Sequence, residues 1–201
     1  MNNKKQSMNK KIELKAVEWA SGKIRLIDQT KLPQEEVYLE LSDHRDVAEA
    51  IKTLRVRGAP AIGIAAAYGL ALGANSIKTK SKKEFLTELR IISAEMASTR
   101  PTAVNLFWAL SRMNRVAKEG STVDEIKTTL ISEAKRIDAE DEEMERTLSR
   151  HGSALVKDGD TIMTHCNTGA LAAGYGTALG VVRYAWESGK KLHVFACETR
   201  P

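Results

Sequence analysis

The chain has 201 residues, 42% hydrophobic and 28% charged, enough for one large or two small globular domains of ordinary soluble composition. Its formal net charge is +5, but four of its 31 Lys+Arg residues (Lys4, Lys5, Lys10 and Lys11) stand in the first eleven positions. The rest shows no clustered basic face, so no specific nucleic-acid partner is expected; no apolar run is long and pure enough for a membrane span, so no membrane partner is expected either.

Residues 1–11 read as a disordered basic tail, since no apolar stretch follows as it would in a secretory signal. Residues 12–40 read as β structure: Ile12 to Trp19, a turn at Ser21-Gly22, Ile24 to Ile27, a loop from Gln29 to Pro33, and alternation from Val37 to Leu41. A small antiparallel sheet is expected. Ser42 reads as the N-cap of a helix with Asp43 in its first turn, running to about Leu54. Arg55-Val56-Arg57-Gly58-Ala59-Pro60 breaks it, and Pro60 can open the next helix at its first position. The run Ala59 to Ala74 is apolar and rich in Gly and Ala, which predicts a tightly packed internal helix.

Phe85, Leu89, Ile92 and Met96 repeat at helical spacing; Ser98-Thr99-Arg100-Pro101 breaks that helix and Pro101 starts another, marked by Leu106, Leu110, Met113 and Ala117. A long helix follows, with a stripe of Val123, Ile126, Leu130, Ala134, Ile137, Met144 and Leu148. Asp141 falls on that stripe, where a buried acid needs a partner; it reads as tying down a nearby loop rather than as a site residue. The run Glu140 to Glu145 otherwise reads as a solvated face. After Gly152 the pattern changes to a turn at Asp158-Gly159, a strand from Thr161 to His165, a helix from about Gly169 to Glu187, a stop at Gly189 and a strand from Leu192 to Cys197. Such a β-α-β unit builds parallel sheet. The fold class is therefore α/β, with a small β plus helical domain over 12–150 and the start of a second, parallel-sheet domain over 151–201. Two parallel strands cannot bury both their faces, so exposed apolar surface is expected on that incomplete sheet.

The main chemical constellation is Thr164-His165-Cys166-Asn167-Thr168-Gly169-Ala170-Leu171, expected where a strand ends and a helix begins. Ligands of open α/β sheets bind at the carboxyl ends of strands, and a helix N-terminus favours anions and thiolates. Position alone leaves Cys166 equally readable as a packed thiol or a reactive one. Its neighbours Asn167, Thr168 and Gly169, which offer donors and close backbone approach, favour the reactive reading. Cys197, inside a strand, reads as a small buried hydrophobe. With two cysteines and no C-x-x-C, a reducing cytoplasm is the simplest compartment. Arg57-Gly58-Ala59-Pro60 and Arg100-Pro101-Thr102 each set an arginine directly before a helix; together they offer two cations and two helix N-termini to a phosphorylated ligand. His44, His151, His165 and His193 show no ligand spacing, so no metal is expected, and no G-x-G-x-x-G follows a strand.

R-G-A-P-A-I-G-I-A-A-A-Y-G at 57–69, T-R-P-T-A-V-N-L at 99–106, T-H-C-N-T-G-A-L-A at 164–172, G-Y-G-T-A-L-G at 174–180 and the closing E-T-R-P resemble the methylthioribose-1-phosphate isomerases. The wider family includes ribose-1,5-bisphosphate isomerases and regulatory subunits of translation initiation factor two B. The resemblance implies a Rossmann-like C-terminal domain, a homodimer, a role in methionine salvage, no cofactor, and conversion of 5-methylthioribose 1-phosphate to 5-methylthioribulose 1-phosphate. It makes Cys166 the catalytic cysteine and Arg57, Gly58, Ala59 and Arg100 substrate-binding residues, with Asn167, Thr168 and Gly169 shaping the site. The family continues beyond E-T-R-P into a glutamine loop, a catalytic aspartate and an Asn-Lys pair. Asp141 is no substitute for that aspartate, and little isomerase activity is expected of residues 1–201 alone. Ser149 also stands where the family pattern suggests glycine. The alternatives are a ribose-1,5-bisphosphate isomerase, or a non-catalytic regulatory subunit binding a sugar phosphate or nucleotide.

Overall fold

The structure, a computed structural model, describes residues 14–197. The basic segment 1–11, the expected first-strand start at Ile12 and the closing Glu198-Thr199-Arg200-Pro201 lie outside the described residues.

Three short strands open the fold: β1 (Val17–Ala20), β2 (Lys23–Ile27) and β3 (Tyr38–Leu41), antiparallel in the order β1-β2-β3. Ser21 and Gly22 take positive φ values of 50° and 83°, the geometry that a two-residue hairpin needs to match strand twist. Alternation then sorts the faces. Ile24 and Leu26 are fully buried, while Arg25 between them pairs with Glu18 across the ladder at 2.9 Å.

Helix α1 (His44–Lys52) is capped by Asp43 rather than by Ser42, because Asp43 has the extended backbone that lets its carboxylate accept from Arg45 N at 2.8 Å. The helix stops at Lys52, short of the expected Leu54, which takes φ 64° and turns the chain.

Helix α2 (Ala59–Ser76) is the core of the molecule, with every residue from Ala61 to Ala74 buried. Pro60 sits at its second position, one later than expected. The small residues matter because neighbours come very close. A Cβ at Gly69 would lie 2.8 Å from the Met96 side chain, and one at Gly73 2.8 Å from Ile92. Helices α3 (Lys82–Ser98), α4 (Val104–Glu119) and α5 (Val123–Ser153) surround α2. Pro101 and Thr102 form a turn ahead of α4 instead of its first turn. Helix α5 begins with a capping box, Thr122 and Glu125 each satisfying the other's backbone N–H.

The stripe of α5 holds only over its first half. Val123, Ile126, Leu130, Ala134 and Ile137 are buried, but Met144 and Leu148 are 61% and 49% exposed. The buried residues of the second half are Glu145, Ser149 and Ser153. The partner changes there: the second half packs on α6 (Thr177–Glu187), not on the α2–α4 bundle. Two glycines allow the close crossing, since a Cβ at Gly180 would fall 2.3 Å from Ser149 Oγ and one at Gly152 2.6 Å from Val181.

Strands β4 (Thr161–Thr164) and β5 (His193–Ala196) flank α6 in sequence and pair in parallel, Thr161 opposite His193. Met163 and Phe195 on this sheet are 73% and 52% exposed. Cys197 lies past the end of β5 and is exposed, so it is not the buried small hydrophobe its strand-like surroundings suggested. Among the described residues no helix is long and apolar enough to cross a membrane.

Candidate active site

The two cysteine- and arginine-bearing motifs, more than a hundred positions apart, meet at the start of α2. Gly58 is the N-cap of α2 with φ 96°, a left-handed backbone that suits glycine. A Cβ there would lie 2.6 Å from the Cα and Cβ of Ala172 and 3.2 Å from Asn167 Nδ2. The first turn of α2 is tied to the same segment by backbone, Ala61 N donating to Ala172 O at 2.9 Å. Gln29 adds a second tie: its buried side-chain amide donates to Leu171 O at 2.9 Å, and its backbone N–H donates to Arg55 O at 2.9 Å. Gln29 thus holds the segments before Gly58 and before Ala172 in register with each other. Nothing in the local sequence marks it for this, because both its partners are distant in the chain.

Cys166 stands just beyond the C-terminal end of β4, as expected, and is exposed. It also takes φ 64°, an unusual backbone for a side chain other than glycine and one that costs roughly 1 kcal/mol or more. The helix expected to start beside it is not there. Residues 169–176 are turns, and α6 begins only at Thr177. Cys166 is therefore followed in the chain by a loop, not by a helix N-terminus, and Gly174-Tyr175-Gly176 is that loop's exit rather than part of a helix.

The loop is built by side chains from elsewhere. Glu145 on α5, 4% exposed, accepts from Tyr175 N at 2.9 Å and Gly176 N at 3.2 Å. Gly176 is the N-cap of α6 and Tyr175 the residue before it, so the carboxylate satisfies buried donors at the loop's exit into the helix. Burial raises the Glu145 carboxyl above its ordinary value, against the opposing pull of these backbone donors. Thr168 closes the loop from its other side, its hydroxyl bonded to Thr177 Oγ1 at 2.6 Å and accepting from Leu179 N at 3.0 Å. Glu145 thus contradicts the reading of Glu140 to Glu145 as a solvated face. Its position four residues after Asp141 was the available signal.

Arg57 and Gly58 are half-buried and Ala59 exposed in the α1–α2 connection; Arg100, half-buried, lies in the α3–α4 connection, where its carbonyl accepts from Ala103 N at 3.0 Å. The two connections converge through their helices, since a Cβ at Gly63 would meet Asn105 O at 3.0 Å. Between these helix starts and the middle of α5 opens a cavity of about 480 Å³, bordered by Pro60, Gly63, Val104, Asn105, Trp108 and Asp141. Asp141 is half-buried, and its Oδ2 is fully buried with no hydrogen-bond partner. Among the described residues this oxygen ties down no loop, contrary to expectation. Burial, with the nearby charges of Glu145 and Asp138, pushes its carboxyl up to about 7. Among the described residues no cluster of His, Cys, Asp and Glu could hold a metal ion.

Residues 55–201 match the Initiation factor 2 subunit family. The chain is 55% identical over 189 residues to the methylthioribose-1-phosphate isomerase of Dehalococcoides mccartyi, a match covering 94% of this chain and 57% of that relative. It superimposes on subunit delta of the translation initiation factor eIF-2B from A. fulgidus with a TM-score of 0.83 at 45% identity, over 94% of this chain and 55% of the other. It also superimposes on the 5-methylthioribose 1-phosphate isomerase from Pyrococcus horikoshii OT3 with a TM-score of 0.82 at 35% identity, over 90% of this chain and 60% of the other. The chain thus spans little more than half the length of the relatives it matches.

Proposed function

This chain belongs to the Initiation factor 2 subunit family, and from that premise we propose that it carries the substrate cradle and reactive cysteine of an isomerase acting on 5-methylthioribose 1-phosphate. The supporting observation is the contact of Gly58 with Ala172 and Asn167, which joins the R-G-A-P and H-C-N-T segments at one helix start. In this reading Arg57 and Arg100, with the backbone around Gly58 and Ala59, hold the phosphate, and Cys166 works on the sugar carbons. Asn167, Thr168 and Gly169 fix the cysteine loop. Residues 12–150 and 151–201 form the two domains, and the whole protein works in the cytoplasm as a homodimer without a cofactor.

The chemistry follows from the substrate. Its anomeric oxygen carries phosphate, so the ring cannot open by losing a proton there. An acid protonates the ring oxygen as its bond to C1 breaks. Hydrogen passes from C2 to C1, and the C2 hydroxyl loses its proton to become the carbonyl. Atoms balance whether the C2 hydrogen travels as a hydride or as a proton through an enol. Isomerase turnover is to be measured with the chain as it stands, with a chain extended over the remaining length of its relatives, and with that extended chain carrying Cys166→Ser. Turnover only by the extended chain with Cys166 intact supports the reading. Full activity of the Cys166→Ser chain removes the cysteine's role.

A second reading rests on the 45% identity to the eIF-2B delta subunit. A regulatory subunit would bind its ligand and turn over neither 5-methylthioribose 1-phosphate nor ribose 1,5-bisphosphate. Turnover of the bisphosphate alone would instead favour the sister isomerase.

A further inference from the structure

We infer that Glu145 on α5 is the positioning residue of Cys166: its buried carboxylate fixes Gly176, and Gly176 holds the loop that carries the cysteine. The inference rests on the reading of Cys166 as the reactive thiol and adds what keeps that thiol in its working place.

One residue joins the two. The N–H of Gly176 donates to Glu145 Oε2 at 3.2 Å, beside that of Tyr175 at 2.9 Å. The carbonyl of Gly176 accepts from Gly169 N at 3.0 Å and from Thr168 Oγ1 at 3.3 Å. Thr168 and Gly169 are thus tied, through a single residue, to a carboxylate that is 4% exposed. That residue has φ 130°, and a Cβ on it would come within 3.1 Å of Gly180 N and 3.5 Å of Gly169 Cα. Only a glycine brings the two sides this close. Tyr175 anchors the same point: its ring has the guanidinium groups of Arg146 and Arg183 each 4.5 Å from its centre, and its hydroxyl donates to Glu187 at 2.8 Å.

Cys166 needs such a hold. Its φ of 64° is a backbone that a residue with a side chain adopts at a cost and keeps only where its surroundings enforce it. On one side of it Thr164 is paired with Ala196 in the sheet. On the other side Thr168 and Gly169 are bonded to Gly176, and the Thr168 hydroxyl is further bonded to Thr177 Oγ1 at 2.6 Å and to Leu179 N at 3.0 Å. The strained residue therefore sits in a short stretch between two attachments, and the second of them is anchored on Glu145. Without that carboxylate the backbone at Cys166 relaxes and the thiol shifts. Arg57 and Arg100 lie in the α1–α2 and α3–α4 connections, outside this chain of bonds. Misplacing a reacting group by about 1 Å costs on the order of a hundredfold in rate.

Two measurements test this. In the 201-residue chain, amide exchange at Gly169 should speed up at least about tenfold in Glu145→Ala, beyond what the loss of global stability gives at core amides such as Leu89 and Leu110. Glu145→Gln, which keeps an acceptor oxygen, should return Gly169 to within about threefold of the unaltered chain. Faster exchange at Tyr175 and Gly176 with Gly169 unmoved overturns the inference, because Glu145 would then cap α6 and nothing more. In the chain extended over the length of its relatives, Glu145→Ala should lower kcat for 5-methylthioribose 1-phosphate by about tenfold to a hundredfold with KM within about twofold, and Glu145→Gln should recover most of the loss. An unchanged kcat, or a loss carried by KM, overturns the positioning role. Thr168→Val releases Gly176 from the other side and serves even where Glu145→Ala does not fold. It should lower kcat in the same way, and combined with Glu145→Gln it should cost less than the product of the two effects, since both act through one residue. Effects that simply multiply break the link. The outcomes separate from those for the isomerase reading. Cys166-dependent turnover with kcat unmoved in Glu145→Ala sinks the positioning role alone, whereas a loosened Gly169 in a chain whose extended form has no turnover supports the hold on the loop and sinks the isomerase alone.

Discussion

Gly58 and Ala172 are packed so closely that a single added methyl group at Gly58 would come within 2.6 Å of the Ala172 backbone. The contact joins the start of α2 to the loop that follows Cys166. Gly58→Ala is therefore expected to push the 166–172 loop away and to force a left-handed backbone on alanine, costing about 2 kcal/mol or more. Urea denaturation measures the cost. Unchanged stability would mean that the two segments are not held together.

Glu145 makes a different kind of join, across 30 residues, by accepting from the N–H groups that open α6. Glu145→Ala leaves those donors buried without a partner and should lower stability by about 1–2 kcal/mol. Glu145→Gln keeps an acceptor oxygen and should recover more than half of that loss. Hydrogen exchange at Tyr175 and Gly176 reads the same cap locally: it should speed up in the alanine variant and much less in the glutamine one.

Asp141 gives a pH signature. Its carboxyl sits at about 7 in the folded chain, against about 3.9 when unfolded. Between those values the folded chain keeps a proton that the unfolded chain has released, so this group's contribution falls as pH rises from about 4 to about 7. Asp141→Asn removes the effect. Its stability relative to the unaltered chain should improve between pH ~4.5 and pH ~8, by about 1 kcal/mol once solvent screening of a half-buried group is allowed for. A pH-independent difference between the two proteins would show that Asp141 titrates normally.

Ser149 and Gly180 mark the crossing of α5 and α6. A methyl at residue 180 would meet Ser149 Oγ at 2.3 Å, so Gly180→Ala should cost about 1–3 kcal/mol. Adding Ser149→Gly to Gly180→Ala makes room and should return most of that cost, a coupling that a double-mutant cycle measures directly. Additive effects would place the strain elsewhere. The serine fits here, despite a family pattern that suggests glycine, because residue 180 contributes no side chain.

Local chemistry carried much of the fold. The helical spacing of Phe85, Leu89, Ile92 and Met96 and of Leu106, Leu110 and Met113 matched faces that are buried, because those side chains see one continuous neighbour. The Ser21-Gly22 turn and the alternation around Arg25 were equally local, since hairpin register depends on adjacent residues. The β-α-β unit and the R-G-A-P and H-C-N-T segments were legible for the same reason: turn residues and motif spacing act over a few positions.

What the sequence could not determine alone were the places where a distant partner changes the local rule. Met144 and Leu148 continue the apolar period of α5, yet they are exposed, because α6 lies along another side of that helix and buries Glu145 and Ser149. Residues 169–176 are rich in Gly and Ala and yet form no helix; Glu145 satisfies the N–H groups of Tyr175 and Gly176, and Thr168 that of Leu179, from outside the segment. The meeting of Gly58 with Ala172 likewise leaves no trace in either segment's own period. Periodicity reports which face of an element is apolar; only the tertiary structure decides which neighbour that face meets, and with it where buried polar groups find their hydrogen bonds.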